Sequence, residues 1–241
     1  MYRELNAAKL VEASEVLAAR IKERFPEAGL SGVASELVTV AKRTAVISYE
    51  LSKPLWPQRI GAVVVSAGLL AILGILGMHL RVSTNVSDIV ALVQGLESLV
   101  NDVFFACIAV WFAFSIEGRI KRSRALKLMS QLRSMAHVID MHQLDKDPDR
   151  FDPEFKPMLR SPKPGLTRIS LTRYLDYCSD MLSILGKLAA VAVQNFEDPV
   201  ALSAVNEVEN LSGGLSRKVW QKIMILDRMA TEPVPSTAET A

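Results

Sequence analysis

Residues 60–80 read IGAVVVSAGLLAILGILGMHL, 21 positions with no formal charge beyond the titratable His79. A helix rising 1.5 Å per residue needs about 20 such residues to cross roughly 30 Å of hydrocarbon, so the stretch predicts a membrane span. Residues 99–116, LVNDVFFACIAVWFAFSI, predict a second span, interrupted near its start by Asn101 and Asp102. Between them, residues 81–98 form the outer segment. There Ser87 and Asp88 can cap a helix whose apolar positions Ile89, Leu92, Val93, Leu96 and Val100 recur at helical spacing. From Asp88 to Arg119 such a helix would run about 48 Å, so its outer turns must tilt, bend near Gly95 or project from the bilayer.

Elsewhere the pattern is amphipathic. Residues 5–25 and 32–51 each show a helical apolar stripe, separated by Pro26 and a turn expected across Gly29 to Gly32. Beyond Arg119 the second membrane helix is expected to continue. Ala125, Leu128, Leu132, Met135, Ile139 and His142 follow each other at spacings of 3 and 4. They make a seam that must be covered by the chain's own helices or by another copy. Pro148, Pro153, Pro157, Pro162 and Pro164 then rule out a helix interior and predict a crossing loop. After it, Tyr174, Cys178, Met181, Leu185, Leu188, Ala192 and Phe196 mark one face of a long helix. Asp198 and Pro199 start the next, expected to stop at Leu211, where Ser212, Gly213 and Gly214 break the pattern. A last helix over residues 215–230 is expected to bury Val219, Ile223, Met224 and Trp220.

The expected class is all-α: a two-helix transmembrane hairpin with a cytoplasmic helical bundle built from N- and C-terminal segments. The divisions are 1–53 (N-terminal helices), 54–118 (hairpin), 119–147 (extension of the second membrane helix), 148–165 (proline-rich crossing), 166–230 (C-terminal helices) and 231–241, a tail of disordered composition.

Composition sharpens this picture at few points. Half the residues are apolar and mean hydropathy is positive although 22% are charged, so the apolar excess is local. A net charge of +2 gives no electrostatic case for nucleic acid, and no basic patch interleaved with aromatics supports one. Two cysteines without CxxC spacing read as reduced packing residues. No short basic stretch followed by an apolar core opens the chain, so no cleavable signal is expected.

Charge placement carries the orientation. Lys53 and Arg59 precede the first span, and Arg119, Lys121, Arg122, Arg124 and Lys127 follow the second, against Arg81 between the spans. Lys and Arg are retained on the cytoplasmic side, so both termini are expected inside an inner (plasma) membrane. The same seven cations are expected to lie at the bilayer surface, partnering anionic lipid head groups at about 1 kcal/mol each.

Candidate chemistry is sparse. His137 and Asp140 share a helix face and are the best metal-ligating pair, but His142 lies about 140° away, and the tract fails the calcium-loop pattern at Arg150 and Lys156. Surface pairing of His137 and Asp140 with Arg133 is the simpler reading. Glu97, Asn101 and Asp102 are candidates for an acidic pore mouth if copies assemble. No GxSxG, Walker, HExxH or dinucleotide fingerprint occurs, and no cofactor is expected. The leading expectation is therefore a non-enzymatic inner-membrane protein whose bundle binds a cytoplasmic protein partner or self-assembles into a homo-oligomer. An oligomeric ion channel or membrane-permeabilising effector gated by the bundle is the alternative, and a metal-dependent membrane enzyme the third.

Overall fold

A computed structural model describes residues 5–79, 86–151, 155 and 165–231. Among them the fold is all-α, with no strand. The helices are α1 (Ala7–Arg24), α2 (Gly29–Ser52), α3 (Trp56–His79), α4 (Val86–Leu144), α5 (Arg168–Val193) and α6 (Pro199–Thr231), with one 3-10 turn at Pro148–Phe151. Local chemistry sets several of the starts. Asn6 Oδ1 accepts from the Ala8 and Lys9 amides at 2.9 and 3.2 Å, Thr167 Oγ1 from Ser170, and Asp198 Oδ1 from Val200 and Ala201. Each supplies an acceptor to amides that have no intrahelical partner.

The chain divides into two compact units, Met1–Ser52 with Arg124–Ala241, and Lys53–Ser123. The first is a bundle around one core. The seam residues of α4 sit inside it: Ala125, Leu128, Leu132 and Ile139 are 0% exposed and Met135 7%. They share the core with Leu10, Leu17 and Ile21 of α1, Leu30 and Leu37 of α2, Leu175 and Leu185 of α5, and Val208 and Val219 of α6. The cover is thus this chain's own helices. Full burial of each such side chain contributes about 1.5 to 3 kcal/mol. A buried Ser48 hydroxyl donates to the Val191 carbonyl at 2.8 Å, linking α2 to the end of α5.

The second unit is built the other way. Val63, Val64, Ile72, Ile75, Phe104, Phe105 and Trp111 are exposed. Its buried apolar side chains, among the described residues, are the small Ala62 and Ala106. Two helical stretches, one within Gly29–Ile72 and one within Val93–Phe151, contain 18-residue windows long and apolar enough to cross a membrane. Their mean hydropathies are 1.5 and 2.0, and 6% and 0% of each window is buried.

Four expectations change. α6 runs unbroken through Ser212, Gly213 and Gly214. Glycine costs about 1 kcal/mol in a helix interior, but Val208, Ser212, Leu215 and Val219 are buried on either side and hold the helix across it. Trp220 and Met224, expected inside, are 53% and 56% exposed, because they turn away from the face carrying Val219 and Leu226. The turn after α1 is complete by Ala28, and Gly29 and Gly32 lie in the first turns of α2. α4 begins at Val86, two residues before the expected Asp88. Apart from Pro148 to Phe151 and Phe155, the proline-rich crossing lies outside the described residues up to 164, as do residues 80–85 and the tail after Thr231.

Candidate functional site

Where α3 begins beside the middle of α4, charge collects on a residue that the pattern of cations conceals. Glu117 stands alone in the basic run EGRIKRSR, and three donors converge on it. Arg59 Nε donates to Oε2 at 2.7 Å and Lys121 Nζ lies 3.0 Å from Oε1, while the Leu55 amide donates at 3.3 Å. The Lys121 contact follows from i, i+4 spacing, whereas Arg59 is brought in from the start of α3. The Arg59 hydrogen bond is the largest cause holding the Glu117 carboxyl at about 2, below its ordinary 4.5. Burial opposes this, and Lys121 and the Leu55 amide add to it. The side chains of Glu117 and Lys121 are only 15% and 12% exposed, so this is a partly desolvated ionic clamp rather than a loose surface pair.

The other cations of the basic group are placed differently. Arg119 lies over the Phe112 ring at 5.2 Å, so its charge sits against an aromatic face of α4. Arg124 Nη1 donates to Glu50 Oε2 at 3.0 Å within the bundle. Arg122 is half-buried, and Lys53 and Lys127 are exposed. Arg59, Lys121 and Arg124 thus pair with protein carboxylates. Sequence separations of 58 and 74 residues hid the Arg59 and Arg124 partners; the only local signal was Glu117 four residues before Lys121.

Glu97, Asn101 and Asp102 all lie exposed on α4. Glu97 and Asn101, four apart, share a face, and Asp102 is a further 100° round. His137 is exposed, while Asp140 accepts from Gln143 Nε2 at 2.6 Å and is committed to its own helix. Arg133 pairs with Glu207 of α6 instead of with His137 or Asp140. Among the described residues no three His, Cys, Asp or Glu side chains come together in a way that could hold a metal ion.

A second polar cluster, missed in the sequence, closes the end of α4. Lys222 Nζ donates to the carbonyls of Gln143 and Lys146 at 2.8 and 3.2 Å, and the Tyr174 hydroxyl to that of His142 at 3.2 Å. Carbonyls that the helix end leaves unpaired are thereby satisfied by a cation and a phenol. Lys146 Nζ lies 5.4 Å from the Tyr174 ring centroid, and Phe25 meets that ring edge-on at 5.6 Å. A recess of about 460 Å³ lies beside it, lined among others by Gly29, His142, Asp145, Lys146 and Tyr174. Burial pushes the Tyr174 phenol up and the Cys178 thiol up to about 12, the latter in spite of Lys146 and Lys222. Both stay protonated near neutral pH, which suits packing and hydrogen bonding rather than nucleophilic attack.

No protein-family model, curated protein or solved structure matches this chain.

Proposed function

We propose that this chain is a membrane-anchored, non-enzymatic binding module. Its α3 and α4 hairpin crosses an inner membrane with residues 81–98 outside, and its bundle stands in the cytoplasm to engage a protein partner. The observation that carries this reading is the contrast in exposure. The bundle buries its apolar stripes around one core, whereas the two 18-residue windows of the hairpin are 6% and 0% buried. Side chains such as Phe104, Phe105 and Trp111 left in water would forgo about 1.5 to 3 kcal/mol each, which a hydrocarbon surrounding supplies. Orientation rests on Lys53, Arg59, Arg119, Lys121 and Arg122 at one end of the hairpin. Glu117 does not cancel them, because acidic residues contribute little to topology.

Alkaline carbonate extraction together with labelling tests this. In a Cys107→Ser background, Gln94→Cys should react with a membrane-impermeant maleimide in intact cells, and Ser130→Cys only after permeabilisation. The reverse pattern would overturn the orientation, and equal labelling of both would overturn the spanning hairpin.

A second reading is favoured by Asp102, a carboxylate exposed within the apolar part of α4. Such a group costs several kcal/mol in lipid unless it reaches water. Copies arranged around a shared path would give Glu97, Asn101 and Asp102 that water. Cation flux through liposomes that disappears in Asp102→Asn would support a pore over a binding module.

A further inference from the structure

Beside the start of α5, side chains of α5 and α6 enclose a furrow of about 490 Å³, within the roughly 300 to 1,000 Å³ of small-molecule sites. Arg168 and Arg173 from α5 and the indole of Trp220 from α6 line it, with Ile169 and Met224 beside them. Ile169, Trp220 and Met224 are 69%, 53% and 56% exposed, so the ring and its apolar surround are open to solvent. Neither the ionic clamp at Glu117 nor the carbonyl contacts of Lys222 use any of these side chains.

We propose that this furrow binds a nucleoside monophosphate, with the base stacked on Trp220 and the phosphate held between Arg168 and Arg173. An indole offers a flat π surface on which any base can stack, and a half-exposed ring has that surface available. Arg168 and Arg173 are five residues apart on α5, about 7.5 Å along its axis and 140° round it. Lining one furrow, they bring their guanidiniums in from two directions. A carboxylate is saturated by one planar fork, whereas a tetrahedral phosphate has oxygens left for a second. Arg173 has Asp176 at 3.3 Å, but that pair is about half exposed, and a guanidinium with five N–H donors can serve both partners.

Asp227 at the rim, and Arg228 after it, already take part in interactions within the chain, and neither is an anchor here. A single nucleotide fits the furrow better than a strand of nucleic acid. Arg168 and Arg173 are the only cations among its lining residues, enough for one phosphate, whereas a strand needs a track of them, and the chain's net charge is only +2.

This goes beyond the proposed function by giving the bundle a small-molecule ligand, and it requires neither membrane insertion nor a protein partner. The test titrates the full chain in neutral-lipid nanodiscs, by calorimetry, with adenosine, guanosine, cytidine and uridine monophosphates, and with adenosine and inorganic phosphate separately. At least one nucleotide should bind at least about tenfold more tightly than adenosine or phosphate, and should quench Trp220 fluorescence in a Trp56→Phe/Trp111→Phe background. Trp220→Leu and Arg168→Gln/Arg173→Gln should each weaken that nucleotide at least about tenfold with helix content unchanged. Trp220→Phe, which keeps a π face, should retain most of the affinity, and Arg217→Gln, outside the furrow, should bind as wild type does. No nucleotide binding at millimolar concentration, adenosine or phosphate binding as tightly as the nucleotide, or affinity indifferent to both Trp220→Leu and the arginine pair would overturn the proposal. So would a single-stranded oligonucleotide that binds at least about tenfold more tightly than any mononucleotide, since the furrow would then be part of a nucleic-acid track.

Discussion

Removing Glu117 is the sharpest test of how the start of α3 is held against α4. In Glu117→Ala the Leu55 amide loses its acceptor, worth about 1 kcal/mol, and Lys121 is left as an unpaired ammonium only 12% exposed, worth about 1.5 to 3 kcal/mol. Arg59 is 54% exposed and returns to water, so its loss adds little. Together the Leu55 and Lys121 losses come to about 2.5 to 4 kcal/mol. Glu117→Gln keeps an acceptor for Leu55 and should lose about half as much. The pH dependence has a defined sign. A carboxyl held at about 2 when folded, against 4.5 ordinarily, stabilises fully above about pH 4.5, and its contribution disappears as pH falls toward 2. The deficit of Glu117→Gln should therefore be full at pH 7 and shrink through that window. Denaturant titration in detergent micelles, followed by Trp56 and Trp111 fluorescence in a Trp220→Phe background, measures it. A deficit below about 0.5 kcal/mol at pH 7, or one equally large at pH 3, would refute the clamp.

Leu132→Asp puts a carboxylate at a 0% exposed position and should unfold the bundle, seen as protease sensitivity, while the hairpin still resists carbonate extraction. A bundle that stayed protease-resistant but changed only its oligomeric state would contradict the intramolecular cover. A methyl group on Gly29 would lie 2.6 Å from His142 Cε1, so Gly29→Ala should destabilise by about 1 kcal/mol in wild type and become neutral or stabilising in a His142→Ala background. Gly213→Ala and Gly214→Ala have open space or ordinary contact at Cβ and should each raise stability by about 0.5 to 1 kcal/mol in thermal unfolding; a loss would restore a hinge to that position.

What the sequence determined is whatever depends on spacing within one helix. The apolar windows of the hairpin, the seam of Leu128, Leu132, Met135 and Ile139, the face of α5 from Tyr174 to Ala192, and the Asp198 cap were all legible, because 3.6-residue periodicity and capping are local. Tertiary structure decided what covers each stripe and which partner each charge takes. Gly213 and Gly214 read as a break because propensity is local, yet packing on both sides carries α6 through them. Trp220 and Met224 read as core because they are large and apolar, but the side of α6 that faces α5 is fixed by Val208, Leu215, Val219 and Leu226 acting together. Glu117 has no distinguishing signal in the sequence beyond its i, i+4 spacing to Lys121, and becomes the hub of the basic run only where α3 brings Arg59 and the Leu55 amide to it. A pairing across 58 residues leaves no periodic trace, so only the folded chain can show it.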